Sequence, residues 1–406
     1  MSAARRILHA DADAFFVAVA RMADPDGAGK ATLLIVGGRP GGRGVVCSAS
    51  WETRAFGVRS AMPIDQAIRL CPDALCVPVP RQACGAASKA IAAVLARYTP
   101  VVEGASIDEW YLDLTGTEAL YRDEPLAATA ARIRETVHRE TGMRLSIGGG
   151  TSKLVAKLAA ERAKPRPGTG ATGVRIVAPG SEGEFLREFA LAELPGVGPK
   201  LQTKLAALGM TRVDDVLAHD RATLARWLGR RPADWLWARV RGIHASPVEA
   251  RANSKQISHE TTFPKDLADT RALERILRAL AAKTAADLRG DRLASRTVTV
   301  KVKDHDFTTR LASRTTPEPL ESDRAIGDVA VGLLAKLRAA RLVPARLVGV
   351  ALGNLVPARD AEQLGLFAPA AAVLERPQDR AVSRAVDRVR ERFGSAAIRT
   401  GAGGAA

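Results

Sequence analysis

The cluster Lys164-Pro165-Arg166-Pro167-Gly168 is a breaker of regular structure, and a domain boundary is expected there. Proline lacks the N–H that a helix or a central strand needs and fixes φ, so regular structure stops there. Before it, from residue 5, short apolar stretches of strand character alternate with segments of helical periodicity, the signature of an α+β or α/β layer. After it, residues 183–242 read as almost wholly helical. A second boundary falls near Ser246-Pro247, and from 255 the order becomes strand, helix, strand, strand, helix, strand. Three regimes in 406 residues imply several domains, since a domain takes about 100–200 residues. The fold class expected is α+β multidomain.

Local signals place the elements. Ile7-Leu8-His9-Ala10, residues 31–36 and residues 44–48 read as strands, the last two joined by the glycine- and arginine-rich link 37–44 as a hairpin. That link lacks a following Gly-Lys-Ser/Thr at the required spacing, which excludes a P-loop. Helices are expected over 63–69, 82–98 and 124–140, with a strand pair at Ile107 and at Trp110–Leu114. Leu145-Ser146-Ile147 reads as a strand ended by a triple-glycine turn, and Ser152 as the cap of a helix through Ala163. In the last third, Leu273, Ile276, Leu277 and Leu280 mark a helix over 271–288. Val298, Val300 and Val302 alternate with polar residues, as in a sheet with one solvated face. Ala381, Ala385, Val386 and Val389 share one face of a short helix ending near Phe393.

Charge narrows the partner. Lys and Arg number 60 against 44 Asp and Glu, a net +16, and residues 249–356 carry 19 basic against 13 acidic residues. A basic excess spread along the chain fits a nucleic-acid backbone better than a compact acidic substrate. Apolar runs such as Ala14–Ala20 stop at seven residues, far short of the roughly 20 of a membrane span. The N-terminus has no room for a signal-peptide core, so a cytoplasmic protein is expected. Cys47, Cys71, Cys76 and Cys84 lack zinc-knuckle spacing, and reduced thiols are expected.

Asp11 ends the first strand, and Asp108-Glu109 lie in a strand–turn–strand about a hundred residues later. Neighbouring strands can bring these three carboxylates together. Such a cluster repels itself unless a cation is present, and hard oxygen ligands favour Mg²⁺ or Mn²⁺. Acidic residues at strand ends are also common, so spacing alone leaves metal binding open.

The surrounding motifs are more specific. Asp11-Ala12-Asp13-Ala14-Phe15-Phe16, the run from Ser48 to Pro63 (SASWETRAFGVRSAMP), Ser106-Ile107-Asp108-Glu109, and Ser152–Lys157 with Ala163-Lys164-Pro165 resemble, in order, four motifs of the Y-family DNA polymerases. The resemblance covers about residues 5–367 and points to the bacterial DNA polymerase IV (DinB) branch. It implies a right-hand polymerase: palm over 1–21 and 78–165, fingers over 22–77, a helical thumb over 166–245, an α+β little finger over 246–356 and a tail over 357–406.

The same resemblance implies site roles. Asp11, Asp108 and Glu109, with the main-chain carbonyl of Ala12, match the ligands of two Mg²⁺ ions, and Glu109 is the family's catalytic carboxylate. Asp13 is not a family ligand, and a strand-end hydrogen bond is the preferred reading of it. Phe16 matches the steric gate against ribonucleotides, beside Phe15. Ser48, Arg54 and Lys164 match triphosphate contacts. Trp51 replaces a usual tyrosine there, and Ala14 replaces a larger residue. Gly196, Gly198 and Lys200 in Leu194-Pro195-Gly196-Val197-Gly198-Pro199-Lys200 resemble a helix-hairpin-helix that binds DNA phosphate through main-chain N–H groups. Leu201, Leu205 and Leu208 supply its packing face. Arg251, Lys255, Arg296, Lys301, Lys303 and Arg310 are the basic residues of the little finger. Gln363-Leu364-Gly365-Leu366-Phe367 resembles a sliding-clamp-binding peptide.

The function implied is error-prone translesion synthesis from dNTPs on primer–template DNA by a monomer, without proofreading and tethered to the sliding clamp. Two rivals are weighed. A non-catalytic clamp-binding adaptor of the ImuB group would lack the acids, which are present here. A glycosylase or nuclease built on the helix-hairpin-helix would need catalytic context near residue 200.

Overall fold

The structure is a computed structural model that describes residues 4–166, 168–249, 254–358, 374–394 and 397–398. The chain separates into two compact units, residues 1–252 and 253–406.

The first unit opens with β1 (Ile7–Ala12) and α1 (Phe15–Ala23). A small sheet follows: β2 (Leu34–Gly37), β3 (Val46–Ala49), α2 (Trp51–Ala55), α3 (Ile64–Leu70) and β4 (Leu75–Pro78). β2 is its centre, antiparallel to β3 through the expected 37–44 hairpin and parallel to β4. The chain then returns through α4 (Arg81–Leu95), β5 (Val102–Gly104), β6 (Glu109–Asp113), α5 (Leu126–Thr141), β7 (Leu145–Gly150), α6 (Lys153–Ala163) and β8 (Val174–Ile176). These build a five-stranded sheet in the order β5-β6-β1-β7-β8.

Side chains alternate across a strand, so each face of β1 has its own task. Leu8, Ala10 and Ala12 join Phe15, Ile91, Leu95, Leu112, Ile133 and Val137 in the core under α1, α4 and α5. Ile7, His9 and Asp11 lie on the opposite face, where Ile7 and Tyr111 pack with Ala156 of α6.

Two expectations change here. Ile107 is not a strand residue; it sits 40% exposed in the turn before β6, and the partner strand is β5. The triple glycine is not a turn but the second half of β7. A Cβ on Gly148 would stand 2.0 Å from the Ala160 nitrogen and 2.2 Å from the Ala156 oxygen. The glycines therefore let α6 lie against the strand with no side chain between them.

Five helices complete this unit: α7 (Glu182–Leu186), α8 (Pro199–Ala206), α9 (Val213–Leu217), α10 (Arg221–Leu228) and α11 (Arg230–Arg239). They share a core with Leu154, Val155 and Leu158 of α6. Strand pairing and packing cross both expected boundaries. β8 pairs with β7, so the sheet continues past 165 to Ile176. Residues 246–249 also stay with the first unit: Val248 is buried beside Ile7 and Tyr111, and the Glu249 N–H donates to Glu103 at 3.0 Å.

The second unit follows the expected order with β9 (Gln256–Leu267), α12 (Thr270–Gly290), β10 (Leu293–Asp304), β11 (Thr309–Leu320), α13 (Asp323–Ala340) and β12 (Ala345–Pro357). Its sheet runs β11-β10-β12-β9. Val298, Val300, Val302, Val348, Val350 and Leu352 bury one face under α12 and α13. The other face is open and carries the hydroxyl pairs Thr297–Thr315 and Thr299–Ser313. The helix near the C-terminus is α14 (Pro377–Phe393), and it is part of this unit rather than of a tail. Arg289 grips Asp387 of α14 with two hydrogen bonds of 2.6 and 2.9 Å, and Ser383 accepts the Asp323 N–H at 3.1 Å.

Candidate active site

The register of β1 and β6 sets the site. Asp11 stands directly opposite Glu109, and His9 opposite Tyr111. Facing like charges destabilise a sheet unless something neutralises them. Here α6 does so. Lys164 Nζ lies 3.0 Å from Asp11 and 2.8 Å from Glu161, and Lys157 Nζ lies 2.6 Å from Glu109 Oε2. Asp108 precedes β6; its carbonyl accepts the Ala12 N–H at 2.9 Å, and its carboxylate accepts the Ser106 hydroxyl. Asp13 accepts from Ser146 at 2.7 Å, the strand-end bond expected of it.

The two facing carboxylates differ in charge state. Burial pushes Asp11 up to about 6 against the opposing pull of Lys164. The His9 imidazole, joined by Lys157, holds Glu109 down to about 2 against burial. Burial disfavours the charge on Lys164, but Asp11 and Glu161 outweigh it and raise its pKa. Among the described residues no three His, Cys, Asp or Glu side chains already stand as a coordination shell. Lysine charge occupies that role instead. The donors suit a hard divalent cation: carboxylate oxygens, one of them held ionised, on a sheet with spare negative charge.

The family model described as the impB/mucB/samB family matches residues 10–161, and the model of that family's C-terminal domain matches residues 254–366. A protein named DNA polymerase IV from Dehalococcoides mccartyi (strain CBDB1) is 34% identical over 98% of this chain and 97% of its own length. Another of that name, from Methanoculleus marisnigri, is 38% identical over 86% of this chain and 94% of its own. The chain belongs to the Y-family DNA polymerases, in their DinB-type branch. A solved Y-family polymerase chimera, Dbh-Dpo4(243-245)-Dbh, shares the fold with a TM-score of 0.77 at 24% identity, covering 87% of this chain and 99% of its own. The activity is translesion synthesis by a DNA-directed DNA polymerase, and an adaptor without catalysis is not favoured.

The polymerase gathers most of the expected nucleotide residues on α1, α2 and β3. Phe16 is half-buried on α1, edge-on to Phe15 at 5.4 Å. Phe15 itself is only 2% exposed. Its ring belongs to the core with Leu8 and Val19, so any contact from Phe15 to a nucleotide would come from its main chain. Ala14 caps α1 with φ 45°, a left-handed conformation uncommon outside glycine. Arg54 donates to the Ala49 carbonyl at 2.9 Å and to Ser48 at 3.5 Å, and stacks 4.6 Å over the Trp51 indole. The structure thus gives Trp51 a second task, holding Arg54 in place.

The DNA-side residues divide. Gly196 has φ 97°, and a Cβ there would strike the Trp235 ring, so glycine is required. Gly198 caps α8, Lys200 is exposed, and Leu205 packs below, with Leu201 and Leu208 partly buried. In the second unit Lys301 and Lys303 lie on the open sheet face, Lys301 paired to Glu260 at 2.8 Å and Lys303 5.0 Å from the Phe307 ring. Arg310 is not a surface contact: it forks onto the buried Asp304 at 2.8 and 2.9 Å. Arg251, Gln363, Leu364, Leu366 and Phe367 lie outside the described residues. All four cysteines are free thiols. Among the described residues no helix is long and apolar enough to cross a membrane.

Sequence reasoning missed His9, Lys157 and Lys153. Lys153 bridges to Glu103 at 2.6 and 2.7 Å and lies 4.7 Å over the Tyr111 ring. A signal was present: at 100° per residue, positions 153, 157 and 164 fall on one helical face.

Proposed function

We propose that this polymerase extends a primer 3′ end with dNTPs by two-metal nucleotidyl transfer, with Asp11, Asp108, Glu109 and the Ala12 carbonyl as ligands. The supporting observation is the Asp11–Glu109 pair, facing each other across β1 and β6 and met by the flexible side chains of Lys164 and Lys157. Mg²⁺ or Mn²⁺ at those oxygens would supply activation of the 3′-hydroxyl and neutralisation of the leaving pyrophosphate.

The protein's own groups do the rest. Arg54, steadied by Trp51, and Ser48 meet the triphosphate. Lys164 exchanges Asp11 for a phosphate oxygen. Phe16 lies under the sugar and leaves no room for a 2′-hydroxyl. Gly196, Gly198 and Lys200 hold a backbone phosphate of the duplex without reading its bases, and Lys301 and Lys303 add contacts from the open sheet. Synthesis proceeds without proofreading, as the family resemblance implies. The division into palm, fingers, thumb and little finger follows, with boundaries at about 177 and 252. The enzyme acts as a cytoplasmic monomer, and residues 363–367 tether it to the sliding clamp.

One primer-extension series tests this reading. Asp108→Asn should keep fold and DNA affinity while lowering incorporation by several orders of magnitude. In the same assay Phe16→Ala should relax discrimination against ribonucleotides, and alanine at Leu366 and Phe367 should remove only the stimulation by a loaded clamp. Near-normal extension by a folded Asp108→Asn protein would sink the assignment.

A further inference from the structure

His9 is a polar side chain where the fold offers a place for an apolar one. It is fully buried on the α6 face of β1. Its ring leans against Tyr111 at 4.6 Å between centroids, and its other register neighbour is Gly148, which adds no side chain. Among the described residues neither ring nitrogen has a hydrogen-bond partner. Buried polar groups normally have one, so an orphan in a closed core needs a reason. Its surroundings suggest one: Nε2 lies 3.7 Å from Glu109 Oε2, just beyond hydrogen-bond reach.

Lys157 sits on that same oxygen. Lys157 donates to Oε2 and His9 Nε2 lies nearest the same oxygen, so the contacts of both groups fall on Oε2 rather than Oε1. Lys157 is half-exposed on a flexible stem and can leave, whereas the His9 ring is fixed by packing and cannot. A carboxylate that must present one oxygen outward gains most from a fixed donor behind the other.

We propose that His9 is a positioning residue for Glu109, its Nε2–H holding Oε2 so that Oε1 faces the divalent cation. This rests on the assignment of Glu109 as a metal ligand. The tautomer that does this carries its proton on Nε2.

The test uses the full chain on primer–template DNA with a chain-terminated primer and a dNTP. Mn²⁺ binding is followed through the paramagnetic signal of the free ion, with DNA affinity and thermal melting as controls. His9→Phe keeps the ring and loses the donor, and His9→Leu is the second apolar replacement if that protein does not fold. His9→Gln returns an N–H to the Nε2 position. Losing the donor should weaken Mn²⁺ binding about tenfold or more, the usual consequence of removing a ligand's supporting partner. His9→Gln should recover most of that, and the loss should vanish in a Glu109→Gln background. Wild-type Mn²⁺ binding by the apolar variant would overturn the proposal. So would an equal loss in His9→Gln, or a loss that persists without Glu109, since either marks His9 as packing. If Glu109→Gln alone binds Mn²⁺ normally, the reading of Glu109 fails first and separately.

Discussion

Two clusters of acid and base in this molecule look alike in composition and differ in construction. In the first unit, Asp11 is met by Lys164 at the C-cap of α6 and Glu109 by Lys157 within it. In the second, Arg289 is 6% exposed and closes on Asp323 and Asp387, while Glu375 accepts the Glu321 N–H at 2.9 Å and Arg384 reaches Glu321 at 2.8 Å. Lysine is a point charge on a flexible stem and keeps alternative partners. Arginine matches a carboxylate with a planar fork and, once buried, has no easy exit. The lysine cluster is suited to partner exchange and the arginine cluster to permanence. Charge composition alone would not separate them.

The contrast can be broken at three points. The largest effect is expected at Arg289. Arg289→Leu leaves the partly buried Asp323 and Asp387 without their buried counter-charge, which costs up to about 3–5 kcal/mol. Urea unfolding with hydrogen exchange over 270–290 and 377–393 would show it, and unchanged protection of α14 would mean the cluster is not a lock. A smaller effect is expected from importing the arginine habit into the first unit. Lys157→Arg should hold Glu109 by a fork, lower incorporation about tenfold and raise the Mg²⁺ needed for half-maximal rate. Identical Mg²⁺ curves would show that Lys157 is not an exchangeable partner.

The third effect is set by pH. Asp11 in the cation-free protein is raised to about 6 by burial, so below pH 6 a cation must displace its proton. Glu109, held at about 2, stays ionised throughout this range. Mn²⁺ binding should therefore be about tenfold weaker at pH 5 than at pH 7. A flat profile would show that Asp11 is no ligand.

Much of this was legible before any coordinates. Strand and helix order in the second unit followed from alternating valines and 3.6-residue spacing. The capping of α6 by Ser152 and the Gly-x-Gly turn before α8 followed from local chemistry, because those signals depend on near neighbours only. Errors arose where a distant partner overrides a local preference. Gly148-Gly149-Gly150 reads as a turn in isolation, yet α6 needs those positions bare. Pro165 follows the end of α6, but β8 recrosses that break to join β7. Phe15 and Phe16 are indistinguishable in sequence, and only their orientation on α1 sends one inward.

The sequence by itself determined which groups are available: three carboxylates in family order, the Phe15-Phe16 pair, a basic sheet and the lysines 153, 157 and 164 at positions that share a helical face. Those are properties of residue identity and spacing along one chain. The tertiary structure alone decided what each group meets. It set Asp11 against Glu109, Lys157 and His9 behind the same oxygen, and Arg310 inward on Asp304 rather than outward. It also drew α14 onto the second unit through Arg289. Strand register and helix–sheet approach join residues a hundred positions apart, and no one-dimensional pattern encodes a contact whose energy depends on both partners being buried together.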